Sequence, residues 1–122
     1  MNSSCTKFLD RLSSAWPGVA DVRKETIEYW KPEEPPLTAA FAEVGGRIVM
    51  EIDSIPENTL QSMMSQIEDG MASSDDQLGI AVATGMIEAM IGRAAHTDGR
   101  LDEILEKFGP LSKSHAEAWI AS

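Results

Sequence analysis

The chain has 122 residues and a net charge of −10 at neutral pH, a length that fits one domain, 1–122, able to bury roughly two-thirds of its unfolded surface. Its one cysteine, Cys5, excludes an internal disulfide. No run reaches the roughly 18 uncharged apolar residues of a membrane helix, and the first residues lack the basic-then-apolar order of a secretion signal, so a cytoplasmic protein without a membrane partner is expected.

The first predicted helix starts at Ser3 or Ser4 as N-cap and runs to about Ala15, placing Phe8, Leu9, Leu12 and Trp16 on one side. Pro17 then opens a second helix to about residue 30, with Val19, Val22, Ile27 and Trp30 as its inner side. The sequence KPEEPP at 31–36 is the clearest break, because its prolines remove amide donors and force an extended path.

Residues 37–52 permit two readings. Leu37, Phe41, Val44 and Ile48 repeat at helical spacing, whereas residues 40–52 also read as a short β-hairpin about Gly45-Gly46. Helix is the preferred reading. Each glycine would cost it about 1 kcal/mol relative to alanine, so the pair should mark close approach to a neighbour.

Pro56 opens the next helix, 56–71, with Leu60, Met63, Met64, Ile67 and Met71 on one stripe. Ser73, Ser74 or Asp75 caps a helix over 75–95 that carries two apolar lines. Leu78, Val82, Met86 and Met90 form one, and Ile80, Ala83, Ile87 and Ile91 the other. Two lines make a broad face and predict the most buried helix. A sixth helix places Leu101, Ile104, Leu105 and Phe108 inward and stops at Gly109, and a seventh ends near Trp119 and Ile120. The methionine stripe, Met63, Met64, Met71, Met86 and Met90, has two readings, an adaptable binding surface and core packing, and its helical spacing favours the core.

The charge is unevenly spread. Residues 32–80 carry ten acids and a single base, Arg47. Such a stretch repels phosphate backbones, which excludes nucleic acid as a partner, and attracts basic protein surfaces. Asp75 and Asp76 have a local explanation as first-turn carboxylates favoured by the helix N-terminus. That explanation does not cover Glu51, Asp53, Glu57, Glu68 and Asp69.

Motifs for catalysis or cofactors are weak. His96, His115 and Cys5 have no metal-ligand spacing, and residues 96–103 lack the alternating ligands of a calcium loop. Residues 51–57 resemble the Asp-Ser-Leu site of acyl carrier proteins, with Ser54 in the serine position. Pro56 and the greater chain length favour Ser54 as a cap instead. Glu88, alone in an apolar helix, is a candidate shifted acid, against the plainer reading of a partner such as Arg93. No metal, no cofactor and no catalytic residue is therefore expected.

Residues 56–90 resemble a HEAT-type helix pair, an amphipathic helix followed by a short acidic turn and a small apolar helix. Residues 8–92 also resemble a group of small all-helical bacterial proteins associated with polymorphic toxins. The shared features are Trp16-Pro17 after the first helix, the Pro-rich gap, and a Ser73-to-Asp76 turn leading into GIAVATGMIEAM. The Gly45-Gly46 pair departs from the unbroken helix of that group. The resemblance implies a toxin-neutralising immunity protein whose acidic surface covers a basic toxin.

The expectation is thus an all-α bundle of six to seven helices, not an enzyme. Its partner-binding residues would be Glu51, Asp53, Glu57, Glu68, Asp69, Asp75 and Asp76, with Glu33 and Glu34. The alternative is a helical adaptor or self-associating module using an apolar groove with Trp30, Trp119 and the methionine stripe.

Overall fold

Asn2, rather than Ser3 or Ser4, caps the first helix in the computed structural model of the chain, which describes residues 1–122. Its Oδ1 accepts from the Cys5 amide at 2.8 Å, satisfying one of the orphan donors of the first turn. Helix α1 spans Ser3–Ala15 and α2 spans Pro17–Trp30. After the break at 31–36, where the Lys31–Pro32 bond is cis, α3 spans Leu37–Met50. The region that also read as a hairpin is therefore helical, and the chain contains no strand.

A 3₁₀ turn, Ile52–Ser54, leads to α4, Glu57–Met71, with Pro56 at its N-cap. Ser54 is exposed and does not cap α4. Helix α5 is continuous through three segments, Asp76–Ile80, a π-helical Ala81–Ile87, and Glu88–Ala94. Its N-cap is Asp75, which accepts from the Leu78 amide at 3.0 Å. Helices α6, Arg100–Lys107, and α7, Pro110–Ala121, complete a bundle of seven. No helix is long and apolar enough to cross a membrane.

One cluster of 27 buried side chains draws on all seven helices. Both lines predicted for α5 contribute to it, through Leu78, Val82, Met86 and Met90 and through Ile87 and Ile91. Of the methionine stripe, Met63, Met64, Met86 and Met90 are buried and Met71 is half-buried, so these five pack the core, whereas Met1 and Met50 are exposed. Phe8 and Phe41 stack at 5.6 Å between α1 and α3. Two inward assignments change. Ile27 is 49% exposed and Ile80 60% exposed. On α2 the buried position belongs to Thr26, whose hydroxyl is satisfied by the Val22 carbonyl at 2.7 Å.

Helix α5 makes its most extensive contact with α3 rather than with α4. Glycines make that contact close. A Cβ on Gly45 would lie 2.7 Å from the Met86 carbonyl oxygen, and one on Gly85 would lie 3.0 Å from the Phe41 Cβ. Gly45 thus marks the close approach expected of it. Gly46 does not, since its nearest neighbour would be Arg93 at 3.8 Å, an ordinary contact.

Candidate functional site

The nine acids expected to dock separate into two groups once the helices pack, and the tenth acid of residues 32–80, Glu43, is exposed on α3 without an ion pair, away from both. The first group is built into the fold, mostly at the starts of other helices. Glu51 accepts from the Trp16 indole at 2.9 Å and sits over Gly18 in the first turn of α2. It also lies 3.6 Å from Arg47. Asp53 and Arg100, the first residue of α6, pair at 2.8 Å. Hydrogen bonds from that guanidinium hold the Asp53 carboxyl below the usual aspartate range. Asp53 in turn raises Arg100. Glu57 lies 3.6 Å from Lys107.

Glu68 reaches the start of α7. Its carboxylate accepts from the Leu111 amide at 2.8 Å, and from the Ser112 amide and hydroxyl at 2.9 and 2.8 Å. Gly109, which precedes α7, has no side chain to cap it, so Glu68 caps the helix from 44 residues away. Burial pushes this carboxyl upward, but the Ser112 and Leu111 amides and the Ser112 hydroxyl outweigh it and hold it below its usual value. Asp75 is likewise lowered, by the Leu78 amide first, and it accepts from Asn2 at 3.2 Å.

The second group is Glu33, Glu34, Asp69 and Asp76. All four are exposed and none has an ion-pair partner within 4 Å. They lie toward one end of the bundle. Glu33 and Glu34 line a groove with Met1, Thr6, Arg23 and Lys31, the last two paired with Asp10 and Glu28, and the adjoining Asn2 bonds to Asp75 beside Asp76. Asp69 is one residue from Gly70, which packs on Phe8 of α1. Only these four of the nine expected docking residues remain unengaged by the fold.

Glu88 does not face Arg93. Its Oε2 lies 3.0 Å from the His115 Nε2 of α7, with both side chains half-buried, so the pair joins α5 to α7. Cys5 is fully buried, and burial, with the nearby Asp75 charge, pushes its thiol up, away from the reactive thiolate. No group of three or more His, Cys, Asp or Glu side chains converges as a metal set would.

A groove of about 860 Å³ is bounded by α2, α3 and the end of α5, and of its walls only Trp30 was anticipated from the sequence. Ala39, Ala42, Gly46, Ala89 and Gly92 lie along it, and Trp30, Tyr29, Met50, Arg47, Arg93 and His96 stand around them. Tyr29 is 82% and Met50 54% exposed. The available signal was the recurrence of Ala39, Ala42 and Gly46 on α3, and of Ala89 and Gly92 on α5, at helical spacing away from the core lines. Trp30 borders this groove, whereas Trp119 lies on α7 outside it.

Comparison with protein-family models, with curated proteins and with solved structures gives no match.

Proposed function

We propose that this chain is a non-enzymatic immunity protein that docks onto a basic toxin surface in the bacterial cytoplasm through the acidic end formed by Glu33, Glu34, Asp69 and Asp76. The observation carrying this reading is the division of the acids. Glu51, Asp53, Glu57, Glu68 and Asp75 are satisfied by the protein itself, while these four exposed carboxylates are not. Exposed like charges on one end repel one another, and a cationic partner relieves that repulsion while gaining encounter rate. The resemblance of residues 8–92 to toxin-associated helical proteins gives the partner its class.

The test is association with the toxin domain encoded in the neighbouring reading frame, measured against salt. The triple charge reversal Glu33→Lys, Asp69→Lys, Asp76→Lys should slow association at least tenfold at low salt and flatten its salt dependence. Asp53→Asn, at an acid already paired, should leave both nearly unchanged. Association indifferent to salt and to the triple reversal would remove the acidic end from the mechanism. A tight homodimer in light scattering, closed through an apolar face, would favour the adaptor reading instead.

A further inference from the structure

We infer that the groove between α2, α3 and the end of α5 is a second docking site, for a partner protein segment carrying one carboxylate beside a large apolar side chain. The carboxylate would seat on Arg93 next to His96, and the apolar group on Met50 and Tyr29.

Arg93 is the observation that selects this occupant. The chain has 20 acids and only 10 Lys and Arg residues. Its neighbours along this face are doubly engaged. Arg47 reaches Glu25 at 2.9 Å and Glu51 at 3.6 Å, and Arg100 reaches Asp53 at 2.8 Å and Glu103 at 3.0 Å. Arg93 has no ion pair within 4 Å and no side-chain hydrogen bond. It stands at the junction of the 860 Å³ groove and a smaller one of about 310 Å³, both of which His96 and Met50 also line. A free guanidinium is a fork suited to a carboxylate.

The occupant's remaining chemistry follows from the walls. An alanine and glycine floor admits close approach of a backbone or a broad side chain, and exposed Tyr29 and Met50 with half-buried Trp30 offer the aromatic and adaptable contacts favoured at protein interfaces. Glu25 and Glu43 also line the groove, so a strongly acidic segment is repelled and a single carboxylate is favoured. Nucleic acid, with its repeated phosphates, fits this balance poorly. A second copy of the chain would bring two bodies of charge −10 together.

This site is separate from the acidic end. Helix α2 stands between the large groove and the groove bearing Glu33 and Glu34, with Thr26 bordering both. The two assignments therefore stand or fall independently.

The test pans a displayed library of random 12-residue peptides against the full-length chain, then maps the enriched peptides by amide chemical shifts. The expected peptides pair one Asp or Glu with a large apolar residue. They should shift Gly46, Gly92 and Arg93, and lose at least tenfold in affinity against Arg93→Glu, a surface change checked by unaltered circular dichroism. Arg93→Lys should recover part of the loss. The triple reversal at the acidic end should leave peptide affinity within about twofold. Absence of enrichment, shifts confined to other surfaces, or equal affinity for Arg93→Glu would overturn the assignment. So would a concentration-dependent dimer whose shifts map to the groove, which would give the site to a second copy.

Discussion

Removing Glu68 should loosen α7, because a single carboxylate supplies the start of that helix with its acceptors. Glu68→Ala leaves the Leu111 amide to water, at a cost of about 1 kcal/mol for a lost helix cap. Ser112 is fully buried, so its amide and hydroxyl lose their shared acceptor without gaining solvent. Stranded donors of that kind cost about 2 kcal/mol together, giving roughly 3 kcal/mol in all. For a domain of this size that is a fall in melting temperature of roughly 10 °C. Glu68→Gln keeps one carbonyl acceptor and should cost about half as much.

Gly109→Ala reaches the same interaction from the other side, since its Cβ would lie 2.6 Å from the Glu68 Cδ. Its cost should shrink in the Glu68→Ala background. The pH dependence has a defined sign. The folded carboxyl is lowered from 4.5, so its contribution is full above that value and is lost as pH falls through the folded value. The stability gap between wild type and Glu68→Gln should therefore close below about pH 4.5. Thermal unfolding, with amide exchange to resolve α7, measures each of these. A Glu68→Ala variant melting within about 2 °C of wild type, with unchanged exchange in α7, would refute the reasoning.

The adjacent glycines of α3 should respond in opposite directions. Gly45→Ala meets the Met86 backbone oxygen and should destabilise by about 1–2 kcal/mol after its helix-propensity gain. Gly46→Ala meets only ordinary contact and should stabilise by about 0.5–1 kcal/mol in urea unfolding. Cys5 should resist a neutral disulfide reagent in the native protein and react at the rate of opening, as labelling across a urea series would show. Asp53→Ala, which breaks an exposed ion pair with Arg100, should leave the melting temperature nearly unchanged, and high salt should erase whatever difference remains.

Much of the fold was readable as local pattern. The break at 31–36, the helical periods of α4 and α5, the buried methionines and the use of Gly45 for close approach all follow from interactions within a few residues or one helical face. Local reading failed where two solutions fit the same spacing. Ile27 suits the apolar period of α2, yet Thr26 takes the buried place because its hydroxyl bonds within the helix. Asn2 displaced Ser3 and Ser4 as cap because helix ends are fixed by one hydrogen bond rather than by a period.

The sequence alone determined that this chain is helical and that residues 32–80 are rich in acid. Only the packing decided what those acids do. Glu68 meets Ser112 across 44 residues and Asp53 meets Arg100 across 47. Such pairings depend on how helices cross, which no local period encodes. The same crossing left Glu33, Glu34, Asp69 and Asp76 without partners, and placed an unpaired Arg93 beside an aromatic wall.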